Sequence, residues 1–220
     1  VEIQERSGFE AAPHLSCIAS TKDNIRRLLL DYQTHDIHRI VALRGDNPSG
    51  WVGRLGELAY ANELVSFIRA ETGSYFHIEV AAYPEVHPQS RSSKEDLEFF
   101  RQKVQAGANG AITQYFYNPD AYFHFIDRCR HCGIEIPIVP GLMPITNYEQ
   151  LARFSDTCGA ELPRWLRWRL KELENDKEGL QEFGLEVVTK LCERLLAGGA
   201  PGLHFYTLNH TLIVNTYYLK

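Results

Sequence analysis

The chain has 220 residues, of which 44% are hydrophobic and 23% charged, enough to bury a core and too apolar for an intrinsically disordered chain. Its 23 Lys and Arg against 28 Asp and Glu give a net charge of −5, which argues against nonspecific nucleic-acid binding, a function that needs clustered cations. No run of about 18 apolar residues is present to span a membrane, and no apolar signal-peptide core follows Val1.

Short apolar runs alternate with amphipathic stretches along the chain. Strands are expected at Ala11 to Ile18, His38 to Leu43, His77 to Ala82, Gly110 to Tyr115, Ile134 to Val139 and Gly202 to Tyr206, with a weak one near Ala160 to Leu162. Helices are expected between them, at Thr21 to His35, Leu55 to Glu71, Ser93 to Ala106, Asp120 to His131, Tyr148 to Thr157 and in two segments between Pro163 and Ala197. Ser93-Lys-Glu-Asp96 has capping-box spacing, with Asp in place of Glu. This rhythm predicts an α/β fold with a parallel sheet, either doubly wound or closed into a barrel. Neither GxGxxG after the first strand nor GxxxxGK[ST] occurs, so the nucleotide signatures of open sheets are absent.

Five cysteines, at 17, 129, 132, 158 and 192, are an odd and scattered set that points to a reducing cytoplasm rather than a disulfide scaffold. Cys129-Arg-His-Cys132 has no second pair at zinc-ligand spacing, and reads as two cysteines at a helix C-terminus before Gly133. No metal site is expected. Arg164-Trp-Leu-Arg-Trp-Arg-Leu-Lys171 reads as a solvated helix whose tryptophans pack inward, since Glu172, Glu174 and Asp176 follow at once.

The unusual residues collect at strand ends. They are His14, Leu43-Arg-Gly-Asp46, Ala82-Tyr-Pro-Glu-Val-His-Pro88, Thr113-Gln-Tyr-Phe-Tyr117 and Phe205-Tyr-Thr-Leu-Asn209. Tyr83, Tyr115, Phe116 and Tyr117 offer flat aromatic surface, and Gly45 permits close backbone approach beside the Asp46 carboxylate. Such a rim suits a planar heteroaromatic, with a cofactor carrying the chemistry. In the next helix Asp96, Phe99 or Phe100, and Lys103 share a face that would offer a carboxylate and a cation.

Glu10-Ala-Ala-Pro-His-Leu-Ser-Cys17, Val41-Ala-Leu-Arg-Gly-Asp46, Ala81-Ala-Tyr-Pro-Glu-Val-His-Pro88, Lys103-Val-Gln-Ala-Gly-Ala-Asn109 with Ala111-Ile-Thr-Gln114, Pro140-Gly-Leu-Met-Pro144 and His204-Phe-Tyr-Thr-Leu-Asn209 occur in one order. Together they resemble 5,10-methylenetetrahydrofolate reductase of the bacterial type. The resemblance implies a flavoprotein oxidoreductase of one-carbon metabolism that feeds methionine biosynthesis from the cytoplasm. It implies a TIM (β/α)8 barrel with noncovalent FAD, reduced by NADH or NADPH, which then passes the hydride to the folate in a ping-pong sequence. Residues 1–220 would form a single catalytic barrel domain lacking its first strand and helix, with no C-terminal regulatory domain.

By the same resemblance His14, Arg44, Gly45, Asp46, Ala61, Tyr83, His87, Asp96 and Lys103 contact FAD, and Asp46 tunes the flavin and the folate cation electrostatically. Gln114, Gln150, Phe154, Leu208 and His210 would contact the folate or nicotinamide. Phe99, Gln102 and His210 depart from the family pattern, and the general acid that protonates the departing N10 would precede Val1. A homo-oligomer is expected. Two rival readings are another flavin-dependent barrel oxidoreductase of proline dehydrogenase type and a noncatalytic barrel fragment that only binds ligand.

Overall fold

Capping side chains start most helices where the sequence places them in the computed structural model, which describes residues 2–46 and 56–208. Among those residues the elements run α1 (Glu2–Ser7), β1 (His14–Ser16), α2 (Lys22–Thr34), β2 (Arg39–Leu43), α3 (Ala61–Thr72), β3 (His77–Ala82), α4 (Ser93–Gln105), β4 (Gly110–Tyr115), α5 (Pro119–His131), β5 (Ile138–Leu142), α6 (Tyr148–Cys158), α7 (Arg164–Glu172), α8 (Lys177–Ala197) and β6 (His204–Phe205). The strands form a six-stranded sheet in the order β1-β2-β3-β4-β5-β6, an α/β fold as expected. By packing, the chain divides into two compact units, Val1–Ala81 with Leu97–Ala111, and Ala82–Asp96 with Ile112–Lys220.

In the first unit, Thr21 accepts a hydrogen bond from Asn24 N at 3.2 Å and so starts α2, which buries Ile25 and Leu29. β1 pairs parallel with β2, placing His14 opposite Val41, and β2 pairs parallel with β3, placing Arg39 opposite His77. Backbone bonds extend the first pairing, from Val41 N to Pro13 O at 3.0 Å and from Ile18 N to Arg44 O at 2.9 Å, so the longer expected strand is legible in the bonding. Ile40, Leu64, Val65, Ile68, Phe76, Ile78 and Val80 form the core. Helix α3 begins at Ala61 rather than near Leu55, which lies outside the described residues. Tertiary bonds hold the preceding turn: Glu57 N donates to Ser20 O at 3.2 Å, and the Glu57 carboxylate accepts from Lys22 N at 2.6 Å.

Arg69 bolts this unit together. Its guanidinium donates to Gly107 O at 2.7 and 3.0 Å, to Phe76 O at 2.8 Å, to Gly73 O at 3.1 Å and to Asn109 Oδ1. Burial draws its pKa below the usual arginine value.

In the second unit, Asn118 and Asn147 cap α5 and α6 by accepting from Asp120 N at 3.1 Å and Gln150 N at 2.8 Å. β5 starts at Ile138 rather than Ile134. Ile134 N instead donates to Cys129 O at 3.0 Å, wrapping the end of α5 through Gly133 at φ 74°, and the strand opens only after Pro137. Cys129 is buried and Cys132 is the exposed C-cap, as the helix-end reading of the CxxC expects. No strand forms at Ala160 to Leu162; that segment leaves α6 through the left-handed Gly159. In α7 the inward residues are Leu166 and Leu170, while Trp165 and Trp168 stand 56% and 65% exposed, so the expected inward tryptophans point outward. Leucines at i and i+4 already fill the packed face. No described helix is long and apolar enough to cross a membrane.

Candidate active site

In the first unit only Arg44, Gly45 and Asp46 sit at a strand C-terminus; His14 does not, because β1 begins rather than ends with it. His14 is exposed at the start of β1, and Arg44, Gly45 and Asp46 follow β2 directly. Gly45 has φ 85°, and a Cβ there would lie 2.5 Å from Ile18 Cγ2 and still closer to Ser16 Oγ. Only glycine fits. Ser16 Oγ donates to Arg44 O at 2.9 Å, locking the β1 end to the Arg-Gly-Asp turn, while Arg44 Nε donates to Gly45 O at 3.1 Å. Asp46 emerges exposed from this turn. Ala61 opens α3 and is half-buried. Lys103 Nζ donates to Ala81 O at the end of β3 and lies 5.6 Å from the Phe100 ring centroid. Phe100 is buried whereas Phe99 is 47% exposed, which decides which phenylalanine faces inward.

In the second unit the loop after β3 is the most constrained segment. The Tyr83 and His87 rings meet edge to face at 4.4 Å. His87 Nδ1 accepts from Gln89 N at 3.0 Å, so neutral His87 carries its proton on Nε2. Between the two rings Val86 adopts φ 75°, a left-handed conformation that costs a β-branched residue about 1–3 kcal/mol. Asp96, buried in the first turn of α4, accepts from His87 N at 3.2 Å and from Ser90 Oγ at 2.9 Å. The N-cap therefore shifts by one residue, from Ser93 to Ser92. Ser92 Oγ accepts from Glu95 N at 3.2 Å, the Glu95 carboxylate accepts from Arg91 N at 2.7 Å, and Asp96 is left to hold the loop.

Glu85, in the same loop, is a site feature that the sequence reading passed over. Its Oε2 accepts from Glu161 N at 2.8 Å, while Oε1 is buried with no hydrogen-bond partner among the described residues. Burial pushes its carboxyl up to about 7, opposed next by the hydrogen bond from Glu161 N, while the neighbouring Glu161 charge adds the smallest upward push. The available signal was a carboxylate inside an aromatic and proline-rich string, Tyr83-Pro-Glu-Val-His-Pro88.

Gln114, half-buried on β4, turns its Oε1 back to accept from Tyr115 N at 3.0 Å. Tyr115, Phe116 and Tyr117 are all buried, so they are core rather than an aromatic rim. Packing explains this: the Tyr117 hydroxyl donates to Met143 O at 2.8 Å, Tyr115 shares a 3.1 Å bond with Ser155 of α6, and Phe116 stacks on Tyr122 at 5.7 Å. Desolvation pushes Tyr115 up to about 12. Gln150 and Phe154 lie four residues apart on α6, both half-buried, and so share a face. Leu208 is exposed at φ 49°, and His210 lies outside the described residues. Tyr206 donates to Thr113 O at 2.9 Å, and Thr113 Oγ1 accepts from Gly141 N at 2.8 Å, tying β4, β5 and the end of β6 together.

The family model described as methylenetetrahydrofolate reductase matches residues 1–218. A protein of Salmonella typhimurium named 5,10-methylenetetrahydrofolate reductase is 42% identical over 207 residues, covering 94% of this chain and 68% of that protein. A rice protein named probable methylenetetrahydrofolate reductase (NADH) is 39% identical over 212 residues, covering 91% of this chain and 36% of that protein. In fold, the chain is similar to an uncharacterized protein from Clostridium thermocellum that binds two copies of 5-methyl-5,6,7,8-tetrahydrofolic acid. The TM-score is 0.62 at 18% identity, covering 98% of this chain and 74% of that one.

Proposed function

The chain belongs to the methylenetetrahydrofolate reductase family and is an oxidoreductase of folate one-carbon metabolism, and from that premise we propose that it binds FAD and takes its hydride from NADH. The NADH assignment leans on the rice relative's name. FAD supplies a two-electron acceptor and donor between nicotinamide and folate. The donor set fits it. In the first unit Arg44 and Lys103 bring cations for a diphosphate, His14 brings a ring N–H group, and Gly45 and Ala61 allow close approach; in the second unit, taken by itself, Tyr83 brings a half-buried ring, His87 a ring N–H group, and Asp96 fixes the His87 backbone.

One observation carries this reading. The left-handed Gly45, forced by Ser16 and Ile18, leaves the Asp46 carboxylate exposed at the C-terminal end of a parallel strand, where α/β enzymes place chemistry. A negative charge there disfavours an anionic reduced ring and favours a cationic 5-iminium folate, so it acts where charge develops in the transition state. Gln114 serves the pterin edge, Gln150 and Phe154 line the substrate face, and Leu208 with His210 serves the folate's far end.

We take the sheet as the greater part of a TIM (β/α)8 barrel within a single catalytic domain. Its support is the strand order, which runs sequentially from β1 to β6 without the reversal that defines a doubly wound sheet. The enzyme acts in the cytoplasm as a homo-oligomer in this reading. A visible absorbance scan and turnover of methylenetetrahydrofolate with NADH test the function; a colourless protein without turnover refutes it, and sedimentation tests the oligomer.

A further inference from the structure

Glu85 lies between a strained turn and a tight contact. On one side is Val86 at φ 75°, a backbone state that persists only where the surroundings over-determine it. On the other, Gly159 at φ 70° approaches Pro88 so closely that a Cβ on Gly159 would lie 2.5 Å from Pro88 Cγ. The loop following β3 and the segment following α6 therefore touch at two places, Pro88 against Gly159 and Glu85 Oε2 against Glu161 N at 2.8 Å. At its other end the loop is held by Asp96, through His87 N at 3.2 Å. Two carboxyl groups thus bracket one strained residue.

The two carboxyls differ in one respect. Both Asp96 oxygens have partners, whereas Glu85 Oε1 is buried without one among the described residues. An unpaired hydroxyl in that position is costly, but an unpaired anionic oxygen costs much more. The groups facing Glu85 do not relieve it. Glu161 adds like charge from the 159–162 segment, and Tyr115 on β4 is a phenol that feels Glu85 together with Cys158 and Asp156 at the end of α6. Within the loop stand Tyr83 and His87, and Tyr206 feels Tyr83 and Cys158.

We propose that Glu85 is a positioning residue: as a neutral carboxyl it clamps the strained Tyr83–His87 turn onto the 159–161 segment, and it releases the turn when it ionises. The neutral acid keeps its carbonyl oxygen on Glu161 N. Ionisation charges the buried Oε1, and the loop must then open to hydrate it. The sign follows from the carboxyl standing at about 7 when folded against an ordinary 4.5. The folded state holds the extra proton between those values, so stability falls as pH rises through that window and the loss is complete above about 7.

The consequence for cofactor binding rests on the reading of Tyr83 and His87 as flavin contacts. FAD release, followed by fluorescence of the free flavin in purified holoenzyme, should rise about tenfold in apparent Kd between pH 6 and pH 8. Glu85→Gln keeps an acceptor for Glu161 N and cannot ionise, so its Kd at pH 6 should match the parent and stay flat across that range. Glu85→Ala should bind FAD weakly at every pH. Every other ionisable group is common to the parent and the Gln variant, so the difference between their profiles belongs to Glu85. Superimposed profiles for parent and Glu85→Gln overturn the proposal. Thermal unfolding of the same proteins from pH 5 to pH 8 gives a readout free of flavin: the parent midpoint should fall with pH relative to Glu85→Gln. If no variant binds FAD at any pH, the cofactor reading fails, and the unfolding difference alone decides the clamp.

Discussion

Gly141→Ala is the sharpest structural perturbation available. A Cβ at Gly141 would lie 2.6 Å from the Tyr206 ring edge and closer still to the Thr113 carbonyl oxygen. That carbonyl is β4 backbone, so it cannot swing aside as the end of a flexible side chain would. Accommodating the methyl means separating the strands locally, which strains the 2.8 Å bond from Gly141 N to Thr113 Oγ1 and the 2.9 Å bond from Tyr206 to Thr113 O. Overpacking costs about 1–3 kcal/mol, and two weakened hydrogen bonds add about 0.5–1.5 kcal/mol each. The expected loss is about 2–6 kcal/mol against a total stability of about 5–15 kcal/mol. For a chain of this size the melting temperature should drop by about 4–24 °C, at roughly 2–4 °C per kcal/mol. Calorimetry of parent, Gly141→Ala, Tyr206→Phe and the double variant is the assay. Tyr206→Phe removes one bond and should cost about 1 kcal/mol; the double variant should lose less than the sum, because both changes act on the Thr113 carbonyl. A Gly141→Ala midpoint within about 2 °C of the parent, less than about 1 kcal/mol, refutes the close-approach argument.

Arg69→Met should cost about 2–4 kcal/mol in urea unfolding with an unchanged denaturant slope, because it strips donors from the Gly107, Phe76 and Gly73 carbonyls while keeping the apolar stem. Asp46→Asn should slow folate reduction more than NADH oxidation and raise the flavin potential; equal losses in both half-reactions would contradict its electrostatic role. In timed alkylation with mass mapping, exposed Cys132 should label before Cys129, which is fully buried and whose thiol desolvation pushes up to about 12, and labelling in the reverse order would contradict the assigned burial.

Local chemistry made much of this fold legible. Thr21, Asn118 and Asn147 are capping residues by their own side-chain geometry, and each starts a helix within a residue or two of the expected position. The β3 and β4 boundaries also match the apolar runs, His77–Ala82 and Gly110–Tyr115. Boundaries moved where a specific backbone or side-chain partner overrode the intrinsic preference of the segment. Ser20 and Lys22 draw residue 57 out of helix, and Cys129 draws Ile134 into the wrap of α5 rather than into β5. The aromatic run Tyr115-Phe-Tyr117 fits a rim or a core equally well until Ser155 and Met143 meet its hydroxyls.

The site divides the same way. The identity and order of Arg44-Gly-Asp46, Tyr83-Pro-Glu-Val-His-Pro88 and Gln114 are sequence facts, and they carried the family resemblance because side-chain chemistry and spacing survive without coordinates. What Gly45 is for, which of Phe99 and Phe100 faces inward, and that Asp96 holds His87 instead of completing a capping box were decided by tertiary packing, from the Ser16 and Ile18 contacts of Gly45 to the fold of the loop back onto Asp96. Glu85 depends most on the fold. Its carboxyl is ordinary in composition, and only the meeting of the loop after β3 with residues 159–161 buries one oxygen, bonds the other and raises its proton affinity, because desolvation is a property of the packed surroundings and not of the residue.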